Sequence, residues 1–114
     1  MARTPEAKVK DACRKFLIER GAWFFMPVSN GMGQVGIPDI ICCYRGIFVA
    51  IETKAPGKRS QTTPNQDRVL EAIQKAEGFA WVVDNPNDLR PLFNSIDIYF
   101  KLERPNDQVN TPKT

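Results

Sequence analysis

The chain has 114 residues, 42% of them hydrophobic and 25% charged, with 16 Lys and Arg against 13 Asp and Glu for a net charge of +3, which suits one domain that can bury its own core. It contains no histidine, so Ser-His-Asp and Cys-His nucleophile systems and every other imidazole-based chemistry are excluded, and carboxylate, lysine and metal remain. The cysteines Cys13, Cys42 and Cys43 fall short of a four-ligand zinc site and read as small, reduced core residues.

In chain order, Thr4 is a good helix N-cap, Pro5 fits the first helical position and Gly21 sits where helices commonly stop. Val9, Ala12, Cys13, Phe16 and Leu17 recur at helical spacing, which predicts an amphipathic helix over residues 5–20 with one buried stripe. Glu6 lies at the edge of that stripe. The helix dipole alone accounts for a first-turn carboxylate, and the inward orientation also makes it a candidate metal ligand; both readings stand. Ala22 to Val28, with Trp23-Phe24-Phe25-Met26, reads as a strand. Ser29 to Gly36 reads as a mobile loop. Its Gly31-x-Gly33-x-x-Gly36 has the spelling of a dinucleotide fingerprint, but a strand follows where a helix would have to open, so that reading is rejected. The glycines are expected instead to let backbone pass close to a substrate or metal.

Asp39 to Tyr44 and Ile47 to Lys54 are apolar, β-branched and aromatic runs separated by Arg45-Gly46, a hairpin pattern. If Tyr44 faces Ile47, Asp39 lies opposite Glu52. The period of two then puts Asp39, Ile41 and Cys43 on one face with Phe48, Ala50, Glu52 and Lys54. Opposed side chains have Cβ atoms about 4.5–5.5 Å apart, where like charges destabilise unless compensated. A divalent cation is the natural compensator, and magnesium takes one or two carboxylates while leaving positions for water and phosphate.

Ala55 to Thr62 is a polar loop with Lys58 and Arg59 at its centre, placed where a phosphodiester backbone near the carboxylates would pass. Thr63-Pro64-Asn65-Gln66 opens a second helix, with Val69, Leu70, Ile73 and Ala76 as its buried stripe and Gly78 as its stop. Gln66 fits a capping box with Thr63, yet it also lies on the core-facing stripe. Phe79 to Val83 is a buried strand, parallel to the hairpin through a right-handed crossover. Asp88 is the expected cap of a short helix over Leu89 to Ile96, with Pro91 in its first turn, and Ile98, Phe100 and Leu102 alternate like an edge strand. The domain is expected to span 1–102 and a loose polar tail 103–114. No apolar run approaches a membrane span and the start lacks a secretory pattern, so a cytoplasmic location is expected. Residues 1–25 carry six basic and three acidic side chains and residues 45–68 five and two, which gathers positive charge around the carboxylates and suits a polyanionic partner.

The order helix-strand-hairpin-helix-strand, with Pro38-Asp39 followed by Glu52-Thr53-Lys54, resembles the PD-(D/E)XK nuclease superfamily. Within it, Gly36-Ile37-Pro38-Asp39, the first-helix Glu6 and Pro64-Asn65-Gln66 look like the virus-type replication-repair nuclease (VRR-NUC) domains, over about Pro5 to Ile96. The resemblance implies an α/β, restriction-endonuclease-like core in which a central mixed sheet is flanked by helices in αβββαβ order. It implies a Mg²⁺-dependent endonuclease, with Mn²⁺ as an alternative ion, held by Asp39, Glu52 and the Thr53 carbonyl, with Glu6 binding directly or through water. Lys54 would position or deprotonate the attacking water and Gln66 would support the site. The expected partner is DNA, with Lys58 and Arg59 as contacts, and the expected role that of a homodimeric four-way (Holliday) junction resolvase in replication or repair. The alternatives are a flap or nicking nuclease, or a non-catalytic DNA-binding module.

Overall fold

The computed structural model describes residues 3–28 and 35–103. The elements run α1 (Pro5–Arg20), β1 (Trp23–Phe25), β2 (Ile40–Tyr44), β3 (Ile47–Thr53), α2 (Pro64–Lys75), β4 (Phe79–Val83), a 3₁₀ turn (Pro86–Leu89) and α3 (Arg90–Glu103). The four strands form one mixed sheet in the order β1-β2-β3-β4. The first pairs are antiparallel, and β4 lies parallel to β3, as the helical connection requires. Gly31, Gly33 and the tail from 104 onward fall outside the described residues.

Local chemistry explains the ends of the elements. Thr4 Oγ1 accepts from the Ala7 amide at 3.1 Å, and Gly21 closes α1 in the left-handed region, with φ 74°. Tyr44 faces Ile47, and Arg45 (φ 52°) and Gly46 (φ 84°) both have positive φ. That is the primed two-residue turn whose twist matches the flanking strands. In α2 the capping box is complete: the Gln66 amide donates to Thr63 Oγ1, and the Thr63 amide donates to Gln66 Oε1.

The two faces of the sheet are covered unequally. Ile40, Cys42, Tyr44, Val49, Ile51 and Val83 pack against α1 and α3 in the main core, centred on Phe93, whose ring meets Phe16 edge-on at 5.3 Å and Tyr44 at 4.7 Å. The other face carries the smaller cluster of Ala50, Leu70 and Ala80 under α2. Tyr44 Oη donates to Asp97 at 2.7 Å, and Arg20 and Arg45 converge on the same carboxylate, so α1, the hairpin turn and α3 are joined at one point.

Several expectations need correction. The first strand covers only Trp23–Phe25. Ile98, Phe100 and Leu102 are helical, because Phe93, Ile96 and Phe100 recur at three- and four-residue spacing and bury one stripe of α3 against the main core. Asn85, and not Asp88, caps the turn that leads into that helix. Cys43 is exposed, since it faces the part of the sheet beyond α2, whereas Cys13 and Cys42 are buried and burial pushes both thiols up to about 12. Gly78 is not the left-handed residue after α2; Glu77 is, with φ 71°. Gly78 is required for space, since a Cβ there would lie 2.9 Å from Ile73 Cγ2.

Candidate active site at the open end of the hairpin

The pairing Ile40 with Ile51 carries the hairpin register one step further, to Asp39 beside Glu52. The chain reaches Asp39 through Gly36, whose φ is 87°; a Cβ there would lie 2.5 Å from the Asn65 carbonyl oxygen. The glycine thus serves the close approach of the start of α2. That approach brings the Gln66 side chain over the end of β3.

Six side chains gather there in two sets of three. Gln66 Nε2 donates to Glu52 Oε2 at 3.0 Å, Lys54 Nζ donates to Gln66 Oε1 at 3.3 Å, and Lys54 Nζ lies 3.6 Å from Glu52 Oε2. Asp39 Oδ2 accepts from the Thr53 amide at 2.9 Å and from Thr53 Oγ1 at 2.8 Å, while Lys10 Nζ stands 3.5 Å from Asp39 Oδ1. The two readings of Gln66 therefore do not compete, since its Oε1 completes the capping box while its Nε2 reaches Glu52.

Glu52 is 2% exposed. Burial, followed by the charge of Asp39, pushes its carboxyl from 4.5 up to about 7, against the opposing pull of Lys54. Such a carboxyl gains from a second positive charge nearby. The donor set is one of hard oxygens, and among the described residues no three carboxylate or thiol groups gather into a metal cage. Two carboxylates are what magnesium ordinarily takes from a protein, so the residues present fit that ion.

The remaining expected residues are placed less centrally. Glu6 is half-buried and lines a cleft of about 430 Å³ with Thr4, Pro5, Ala7, Lys10 and Ala55; its charge is among those raising Glu52. Lys58 is exposed. Arg59 turns toward Asp84 and Asp88, at 3.8 and 3.9 Å, and the Gly57 amide donates to Asp84 at 2.8 Å, so the basic loop is tied to the end of β4. Sequence reasoning missed Lys10 and the Thr53 hydroxyl. Lys10 stands one turn after Glu6 on the same helix face, a spacing that could have flagged it.

No protein-family model matches the sequence, and no curated protein does. Solved structures do. A VRR_NUC domain aligns with a TM-score of 0.63 at 23% identity, covering 81% of this chain and 97% of its own. A VRR_NUC domain protein aligns with a TM-score of 0.62 at 21% identity, covering 90% and 93%. The fold of this chain is that of a VRR-NUC domain, a mixed four-stranded sheet flanked by helices of the restriction-endonuclease-like α/β kind.

Proposed function

We propose that this chain, with its VRR-NUC fold, is a metal-dependent endonuclease that hydrolyses phosphodiester bonds in DNA and acts as a homodimer on four-way junctions. The observation that carries the reading is the joined set Asp39, Glu52, Lys54 and Gln66 at the open end of the hairpin, linked by contacts of 3.0 to 3.6 Å between the last three. Asp39 and Glu52, with the Thr53 carbonyl, would hold Mg²⁺ or Mn²⁺, with Glu6 contributing through water. When bound, the ion neutralises charge developing on the phosphate and makes water a stronger nucleophile. Lys54 would position the attacking water as the ammonium, or take its proton as the neutral amine. Its ammonium has three donors, and Glu52 and Gln66 fix it in place. Gln66 in turn holds Glu52 in one orientation and anchors that orientation to the first turn of α2.

The preference for branched DNA rests on charge and symmetry. A net charge of +3 gives one copy few phosphate contacts, and two copies about a two-fold axis double them and present two sites to two symmetric strands. Lys58 and Arg59 belong to this reading as DNA contacts, Arg59 by exchanging Asp84 and Asp88 for phosphate. The test is metal-dependent cleavage of labelled duplex, flap, splayed and four-way junction DNAs, with sedimentation of the protein on the junction. Paired cuts in the junction by a dimer support the proposal. Cleavage of a flap or a nick by a strict monomer overturns the junction role, and cleavage of none of them overturns the enzyme.

A further inference from the structure

Both oxygens of Asp39 have partners, and the partners differ in kind. Oδ2 accepts two hydrogen bonds from Thr53, which belongs to the same sheet end. Oδ1 faces the ammonium of Lys10, which has crossed from α1 to reach it. The other ion-paired cations of α1 act elsewhere: Arg14 and Lys15 pair with Asp11 on their own helix, and Arg20 pairs with Asp97 on α3. Two ammonium groups therefore reach the carboxylate pair, Lys54 at Glu52 on the α2 side and Lys10 at Asp39 on the α1 side.

Lys10 is also partly open to solvent, with 37% of its side chain exposed, and it lines the cleft that runs from the first turn of α1 to Ala55, the residue after Lys54. An ammonium has three donors and Asp39 Oδ1 does not use them all. Glu6, one turn earlier on the same wall, disfavours an anion at its own end of the cleft, which leaves the Lys10 end as the place for one.

We propose that Lys10 binds a non-bridging phosphate oxygen of the DNA strand beside the cut, across the carboxylate pair from Lys54, and that it competes with the divalent cation for Asp39 Oδ1. This rests on the nuclease reading above. With Asp39 Oδ1 engaged by a cation, the Lys10 ammonium would be freed from its pair and would take the incoming phosphate oxygen as its new partner. The two roles predict opposite effects from one substitution. Loss of the charge weakens DNA binding and tightens metal binding, whereas loss of a merely structural residue weakens both.

The experiment compares the parent with Lys10→Met, which keeps the aliphatic stem, with Lys10→Arg, and with Lys8→Met on the exposed side of α1 as a control. Duplex DNA binding is measured at a fixed, saturating concentration of Ca²⁺, standing in for Mg²⁺ to limit cleavage, between 50 and 200 mM salt, on the order of the range over which phosphate contacts show their salt dependence. Mg²⁺ binding is read from the shift in melting temperature without DNA. Lys10→Met is expected to lose about 0.9 from the logarithmic salt slope and to reach half-saturation at roughly two- to fivefold lower Mg²⁺, the range for a partly exposed ion pair. Lys10→Arg retains the slope, and Lys8→Met matches the parent in both readouts. An unchanged slope in Lys10→Met, or weaker Mg²⁺ binding, overturns the role given to Lys10 while leaving a parent that cleaves DNA intact. A parent with no Mg²⁺-linked shift and no cleavage overturns the nuclease reading itself.

Discussion

Replacing Glu52 with glutamine gives the sharpest test of the electrostatics. Its folded-state carboxyl is held at about 7 against 4.5 ordinarily, by burial first and the charge of Asp39 second. Below about pH 4.5 the group is protonated both folded and unfolded and contributes nothing to the pH dependence. Between 4.5 and 7 the folded protein binds the proton more tightly, so parent stability falls as pH rises, and above 7 the full cost of the buried charge is present. That cost is roughly 3 kcal/mol at 1.36 kcal/mol per pKa unit. Glutamine keeps an acceptor for Gln66 Nε2 and carries no charge, so in EDTA the variant should overtake the parent by about that amount between pH 4.5 and 8, or on the order of 10 °C in melting temperature. Urea unfolding of both proteins at half-unit pH steps measures the difference directly, and carboxylates that do not face Glu52 cancel because the two chains share them. A difference that stays flat across this range would refute the claim that Glu52 is a strained, buried acid.

Further outcomes follow from the same geometry. Asp39→Asn removes the second-largest cause of the Glu52 shift, so the Glu52 carboxyl should titrate below 7 when followed by NMR, and the Mg²⁺-linked rise in melting temperature should largely vanish. Gly36→Ala forces a Cβ onto the Asn65 carbonyl in a left-handed backbone and should cost about 1–3 kcal/mol in urea unfolding; an unperturbed variant would mean that the contact with α2 is not close. Asp97→Ala leaves Tyr44, Arg20 and Arg45 without their common acceptor, and a loss of about 1–3 kcal/mol is expected, with metal-linked stabilisation preserved because the site is at the other end of the hairpin.

The site was legible where local rules set geometry. Tyr44, Arg45-Gly46 and Ile47 fix the hairpin register, and the register brings Asp39 to Glu52 with no knowledge of the rest of the fold. Gln66 was legible for a similar reason, as helical spacing pointed it inward. What failed depended on which element covers which face. Cys43 looked like a core residue because its strand is apolar, but among the described residues the second face is covered by α2 alone, next to β4, and Cys43, with its partner Trp23 at 64% exposure, lies beyond it. Ile98 and Phe100 alternate as a strand would, and the longer helical stripe from Phe93 decided the matter only once the main core existed to receive it. The aim of Lys10 onto Asp39, and of Arg59 away from the site, come from side chains choosing among partners distant in sequence.

The most direct test of the central claim is Mg²⁺-dependent cleavage of a labelled four-way junction by the parent and by Lys54→Ala, with circular dichroism confirming that both are folded. Lys54 is half-buried beside Glu52 and touches Gln66 beyond the last paired residue of β3, so its loss should leave the sheet in place and slow cleavage by at least about 10²-fold, the scale for removing one group that stabilises a transition state. Cleavage by the parent that requires Mg²⁺ and disappears in the folded variant is the result predicted. Near-parental cleavage by folded Lys54→Ala would contradict the assignment of this end of the hairpin as the active site.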